Sequence, residues 1–231
     1  MPPRSTGSTR LPGDPVRHPL FARCYARLSV AAEHRAGLGG LRDRLLAGLS
    51  GRVIEIGAGN GLNFDHYPGA VSEVVAIEPE RTLRGLAREA ALRAEVPVDV
   101  VPGAAEALPV KSEAFDAAVV SLVLCSVRDV PRALGELRRV LRPGGEVRFL
   151  EHGLGGGRAM TFTQRALDRT VWPPLAGGCH LSRDPVAALR DAGFALGPYR
   201  RLFLPEKGPR LPVSYCVLGT AWRPGAPDGP P

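Results

Sequence analysis

The stretch Val53–Gly61, VIEIGAGNG, decides the fold. A short apolar run ends in glycines at alternate positions, Gly57, Gly59 and Gly61. A buried strand that turns tightly into a helix beside a nucleotide-type ligand has this form. Glycine at 57 and 59 lets backbone approach a ligand with no Cβ in the way, and Gly61 relaxes the entry to the next helix. A dinucleotide fingerprint, GxGxxG, needs its third glycine at position 62, where this chain has Leu62. The GxGxG spacing requires no pyrophosphate, so an NAD(P)-dependent oxidoreductase of Rossmann type stands as the alternative.

Outward from this loop, short apolar runs alternate with helical patterns. Arg52–Ile56, Glu73–Glu78, Pro97–Val101, Phe115–Leu124 and Glu146–Glu151 read as strands, with helices over Pro79–Arg93 and Val130–Leu141 between them. Strands separated by helices of this length give a parallel sheet wound on both faces. Tyr199–Leu204 and Tyr215–Ala221 lie too close in sequence for a parallel crossover, so they should form an antiparallel edge hairpin. The expected fold is therefore α/β: a doubly wound, mostly parallel, seven-stranded Rossmann-like sheet. Residues 20–49 precede it as two helices broken at Gly37–Gly40. In such a sheet the ligand crevice lies beyond the carboxyl ends of the strands. Four segments map there: the glycine loop, Glu78, the Cys125 region and Glu151-His152.

The remaining composition narrows the function. The chain has 231 residues, enough for one α/β domain with a substantial core. Five prolines in residues 1–19 and four in 224–231 mark two apolar-poor tails, expected to be disordered over 1–19 and 223–231 around one domain at 20–222. No apolar run approaches the ~20 residues that cross a bilayer, and the N-terminus has no secretory h-region, so the cytoplasm is the expected location. The net charge is +7, but only Lys111 and Lys207 among 30 basic residues are lysine, a bias typical of GC-rich coding sequence. The arginines are spread along the chain with no interleaved aromatics, so no nucleic-acid footprint is evident. Cys24, Cys125, Cys179 and Cys216 form no CxxC pair, which argues against a zinc ribbon or a disulfide scaffold. Cys179-His180 is only two residues and makes no metal set, so no metal is expected.

VIEIGAGNG, the EPE at Glu78–Glu80, GAAEALPVKSEAFDAAVV and LRRVLRPGGEVRFLEH together resemble class I S-adenosylmethionine-dependent methyltransferases of the type 11 group. The resemblance covers roughly residues 20–222. SLVLCSVRD, FLEH, GGCHLSRDPVAALRDAGF and LPVSYCVLG are similar to the subgroup that includes animal alkyl thiol methyltransferases. Those relatives carry an N-terminal membrane anchor that this sequence lacks. The resemblance implies S-adenosylmethionine as cofactor and a small-molecule methyl acceptor. It implies that Glu55, Gly57, Ala58 and Gly59 surround the methionine part, with Glu55 near its amino group. Glu78 would bind the ribose hydroxyls, Pro79 would shape the turn beside the adenine, and Ala105 and Glu106 would lie at the adenine edge. Many relatives have an aspartate where this chain has Ala104, so backbone N–H groups are expected to serve the adenine amine. Ser121 would face the methyl from the end of the fourth strand, and Tyr25 would close the cofactor from the N-terminal helix.

At the acceptor end, Cys125 and His152 are the candidate catalytic groups, with His152 as the base; Cys179 and His180 are further polar candidates. Phe162, Trp172 and the segment 164–175 should cover the site and suit a small lipophilic acceptor. A binding protein of the same fold without turnover, and an RNA methyltransferase, are the remaining rivals.

Overall fold

A computed structural model describes residues 22, 24–27, 29–30, 38–205 and 208–225. The expected tail at 1–19 and most of that at 223–231 lie outside the described residues. Residues 22, 24–27 and 29–30 are helical. Helix α1, Leu38–Leu46, begins where a break was expected and takes in Gly39 and Gly40. Its Leu41, Leu45 and Leu46 are buried, and that packing outweighs the poor helix propensity of two glycines.

The sheet has seven strands: β1 Gly51–Ile56, β2 Val71–Ile77, β3 Val98–Val101, β4 Phe115–Ser121, β5 Leu141–His152, β6 Ala195–Phe203 and β7 Tyr215–Trp222. Their spatial order is β3-β2-β1-β4-β5-β7-β6. The first five run parallel, and β7 pairs antiparallel with both β5 and β6. The sheet is thus as expected, with β7 inserted between β5 and the edge strand β6. Helices α2 Arg81–Ala91, α3 Val130–Val140, α4 Arg158–Asp168, α5 Trp172–Leu175 and α6 Pro185–Asp191 complete the domain.

Alternation along VIEI builds both faces at once. Val53 joins Leu45, Phe64 and Tyr67 on one side, while Ile54 and Ile56 join Leu134, Leu137 and Leu189 on the other. Several expected boundaries move for local reasons. The Glu80 side chain accepts from Leu83 N–H at 2.8 Å, so α2 starts after that cap and not at Pro79. Strand β4 stops at Ser121 because Leu122 takes φ 58°, a left-handed turn that ends the ladder. Strand β5 begins five residues early, since Leu141 already pairs with Phe115 ahead of an irregularity in the register.

The chain also stays fixed past Trp222. Arg223 exchanges backbone hydrogen bonds with Gly144 and Gly145, and its guanidinium reaches Glu113 at 2.7 Å. That residue is thus fastened to Gly144 and Gly145 of β5, just beyond the end of β7.

Candidate functional site

Strand β1 connects to β2 on one side and neighbours β4 on the other, so their carboxyl ends form the topological switch point where such sheets take ligands. The glycine loop sits there. Gly57 N–H and Ala58 N–H both donate to Ile77 C=O, at 2.8 and 3.1 Å, which closes the loop over the end of β2. Gly57 has φ 67°, and a Cβ there would stand 2.5 Å from Val123 Cγ2. Gly59 has φ 57°, with the Tyr25 ring 3.5 Å from the place a Cβ would occupy. Tyr25 is thus beside the loop, and Asn60 Nδ2 ties the same helical segment in through Ser29 Oγ at 3.2 Å.

The two expected acidic residues differ in what they can offer. Glu55 is buried, and its carboxylate accepts from Asn63 Nδ2 at 2.8 Å and from Tyr67 OH at 2.7 Å. Arg42 hydrogen-bonds Asn63 from behind. Burial pushes the Glu55 carboxyl up to about 7, against the pull of Tyr67, Asn63 and Arg42. Its oxygens are committed to the scaffold under the loop. Glu78 ends β2, and its carboxylate accepts from Gly59 N–H and Glu80 N–H, each at 2.8 Å. Burial raises it to about 7 as well. Each oxygen keeps a lone pair for a further donor. Arg84 holds the carbonyls of Glu78 and Pro79 at 2.9 and 3.0 Å, which fixes the turn.

Ala104 and Ala107 form an isolated bridge, with Ala105 and Glu106 at its turn. The Glu106 carboxylate points at the approach to α3, accepting from Arg128 N–H at 2.8 Å and Asp129 N–H at 3.3 Å. The Glu106 C=O accepts from Arg132 Nε at 2.9 Å, so both ends of this residue serve the start of α3.

Beyond Ser121, the left-handed Leu122 turns three successive N–H groups onto one carboxylate. Val123, Leu124 and Cys125 N–H donate to Glu151 at 2.8, 3.0 and 3.3 Å. Glu151 is fully buried, and burial lifts its carboxyl to about 7 despite those bonds. The sequence placed Glu151 at the crevice but gave it no task; its position at the end of β5 was legible, its partners were not.

The exit of β4, the end of β5 and the loop before α6 then converge. Cys179 Sγ lies 3.4 Å from His152 Nδ1, and the ligating atoms of Cys125, His152 and Cys179 all lie within 4.8 Å of one another. The hydrogen bond from Cys125, with help from His152 and Trp172, holds the Cys179 thiol down at about 5. Cys125 is correspondingly pushed up, so the pair's first proton leaves the sulfur beside the imidazole. Burial draws the His152 pKa down, yet Cys179, Glu151 and Asp168 outweigh it and leave the ring above its usual value. His180 turns away, its Nδ1 2.8 Å from Gly178 C=O.

Asp168 and Arg183 hold this loop in place. Asp168 accepts from Leu181 N–H, Ser182 N–H and Ser182 Oγ–H at 2.7–2.8 Å. Arg183 Nη1 donates to Leu124 and Val127 C=O, at 2.6 and 2.8 Å. Neither residue was singled out in the sequence. A cavity of about 380 Å³ opens between α3 and α6, lined by Cys125, Glu151 and His152, by apolar Leu134 and Ala188, and by charged Arg183, Asp184 and Asp191. Trp172 packs against Cys125 and Cys179 as a cover, whereas Phe162 is exposed on α4.

Residues 54–149 match the Methyltransferase domain family. Thiol S-methyltransferase TMT1B of Homo sapiens is 34% identical over 183 residues, covering 76% of this chain and 73% of that one. The ubiquinone/menaquinone biosynthesis C-methyltransferase UbiE of Syntrophotalea carbinolica is 31% identical, covering 72% and 73%. Among solved structures, a methyltransferase of Thermotoga maritima shares the fold with a TM-score of 0.64 at 22% identity, over 88% of this chain and 96% of that one.

Proposed function

Since the chain belongs to the S-adenosylmethionine-dependent methyltransferases, as a relative of the thiol S-methyltransferases, we propose that its methyl acceptor is a small lipophilic thiol. The carrying observation is the largely apolar cavity whose lining includes Cys125, in the turn after β4, and His152, the last residue of β5. An alkyl chain fits the walls, and a sulfur atom fits the polar end.

The cofactor would lie over the glycine loop. Gly57, Ala58 and Gly59 would meet its methionine part, while Glu55 braces the loop from beneath through Asn63 and Tyr67. Glu78 would accept from the ribose hydroxyls, and Pro79 with the Ala105–Glu106 backbone would line the adenine. Tyr25 would cover the loop, and Ser121 would lead the chain past the methyl.

The sulfonium makes the methyl electrophilic without help, so this chain's task is alignment and exclusion of water, an effect of ~7–11 kcal/mol when geometry is right. A thiol of pKa near ~8.5 is already a few per cent thiolate at neutral pH. His152, at the cavity's polar end, would take the remaining proton. When bound, S-adenosylmethionine would supply the methyl, and the cavity with His152 would hold the acceptor sulfur in line with it.

The relationship to UbiE favours one second reading, transfer to a ring carbon of a quinol-type acceptor. The test is S-adenosylhomocysteine formation from S-adenosylmethionine, with an alkanethiol, with a quinol, and with neither. Turnover that depends on the thiol supports the proposal; turnover only with the quinol replaces it. No turnover with either, despite cofactor binding, would favour a binding role. Among the described residues no helix is long and apolar enough to cross a membrane. A cytoplasmic location remains part of this proposal.

A further inference from the structure

Three side chains far apart in sequence bring two sulfurs and one imidazole nitrogen to a single buried point. Cys125 follows β4, His152 ends β5, and Cys179 lies in the loop before α6. Their ligating atoms fall within 4.8 Å of one another, and Cys179 Sγ is 3.4 Å from His152 Nδ1. In a tetrahedral zinc site, bond lengths of ~2.3 Å to sulfur and ~2.0–2.1 Å to nitrogen put those two atoms ~3.5 Å apart. That pair therefore already has the spacing of two ligands on one ion, and the full set, lying within 4.8 Å against the ~3.8 Å between two sulfurs on one zinc, would draw together by up to about 1 Å on binding. Two cysteines and a histidine suit a borderline-soft divalent metal, and two thiolates neutralise its charge, as a buried position requires.

We propose that Cys125, His152 and Cys179 bind one Zn²⁺ ion whose fourth position opens into the acceptor cavity, where the acceptor sulfur binds. The proposal deepens the thiol reading and rests on it. Cys125 and His152 both line the cavity, so the open position faces the acceptor's route. Three protein ligands with one position free is the arrangement of catalytic zinc, where closed four-ligand sites are structural. The surroundings are built to orient the ligands. Cys125 is held at both ends of its backbone, its N–H by Glu151 at 3.3 Å and its C=O by His180 N–H at 2.8 Å. Trp172 packs against Cys125 and Cys179, and its buried indole N–H makes no other hydrogen bond, which suits a neighbouring metal thiolate as acceptor.

The step then balances as follows. The acceptor thiol binds zinc and releases its proton to solvent. Its sulfur lone pair forms the new S–CH₃ bond as the sulfonium S–CH₃ bond breaks, leaving S-adenosylhomocysteine and a neutral thioether. The thioether is a poorer ligand than the thiolate and departs. With zinc in place, the ion would lower the pKa of the bound thiol enough for solvent to take its proton, and His152 would serve as a ligand and not as a base.

The test uses reduced full-length protein, stripped with a chelator and reloaded with Zn²⁺ or Co²⁺, with S-adenosylhomocysteine binding as an independent check of folding. The expected result is one metal per chain, and for Co²⁺ a sulfur-to-metal charge-transfer band with tetrahedral visible bands. Cys179→Ser, Cys125→Ser and His152→Ala should each lose at least tenfold in metal affinity while S-adenosylhomocysteine still binds; Cys24→Ser should bind metal normally. An added alkanethiol should strengthen the charge-transfer band. No bound metal at micromolar concentration, binding unaffected by the cysteine substitutions, or an isolated Cys125–Cys179 disulfide would each overturn the site. Thiol methylation undiminished in stripped protein would overturn the metal and leave the thiol acceptor standing. Metal bound by these three residues without any thiol turnover would instead overturn the acceptor, and the fourth-ligand assignment with it.

Discussion

Replacing Gly57 with alanine probes how tightly the glycine loop is wedged between two strands. Gly57 has φ 67°, and a new Cβ would stand 2.5 Å from Val123 Cγ2 and 3.1 Å from its Cγ1. Left-handed backbone costs a residue with a Cβ about 1–2 kcal/mol. Forcing a methyl against packed atoms adds about 1–3 kcal/mol. Val123 cannot simply retreat, because its N–H is held by Glu151 at 2.8 Å. We expect Gly57→Ala to lower the unfolding free energy by about 2–5 kcal/mol in urea titrations, and to weaken S-adenosylhomocysteine binding measured by calorimetry. The two causes can be separated with Val123→Ala in a double-mutant cycle. Removing the Val123 methyls should recover the packing share, a favourable coupling of about 1–3 kcal/mol, and leave the backbone share in place. Additive effects of the two substitutions would refute the clash, and a loss below about 0.5 kcal/mol for Gly57→Ala would refute both causes.

Glu78→Ala should reduce S-adenosylmethionine affinity about 10- to 100-fold, the scale of a charge-assisted hydrogen bond to the ribose at ~1.5–3 kcal/mol; unchanged calorimetric affinity in a folded variant would remove that assignment. Glu106→Ala should leave affinity within about twofold, because its carboxylate serves the approach to α3, and should cost about 1 kcal/mol of stability in urea. Burial holds the folded Glu55 carboxyl at about 7, above its ordinary 4.5. The folded state therefore holds the extra proton, and stability should fall as pH rises from about 4.5 to about 7, then level off, with a total drop of up to about 3 kcal/mol from this group. Glu78 and Glu151, also raised to about 7, slope the profile the same way. Glu55→Gln should therefore remove only part of the slope in urea midpoints taken across the pH range, and an equally steep profile in the variant would exclude Glu55 as a source.

Periodicity carried most of the sheet into view because each strand's burial is a local pattern. VIEI alternates between two cores, and FDAAVVS is buried almost throughout. What escaped were features set by backbone or by distance. Nothing local announces that Leu122 turns left-handed, so β4 was expected to run to Leu124 and the cradle on Glu151 stayed hidden. LRPGG reads as a turn, yet its leucine already pairs with Phe115, and that pairing starts β5 at position 141. Glu55 was legible as an acid at the right place, while Asn63 and Tyr67, which occupy its oxygens, fall in an irregular segment around a 3₁₀ turn. The Cys125, His152 and Cys179 group needs three chain segments folded together, and a sequence weighs them one at a time.

The segment from Gly153 to Arg183 has a consequence for how this chain could change its substrate. It leaves the sheet at β5, supplies Cys179 and Trp172, and rejoins the domain at α6. Few bonds moor it: Gln164 to Pro212, Arg183 to Leu124 and Val127, and the backbone N–H groups of Gly153 and His180 to Tyr215 and Cys125. The cofactor side, by contrast, is fastened strand to strand beneath the glycine loop. Under the proposed function, such a division would make the acceptor wall an exchangeable cassette. Grafting the corresponding stretch of a related enzyme, with its mooring residues kept, would redirect the chemistry to a new acceptor while the methyl donor's berth stays as it is.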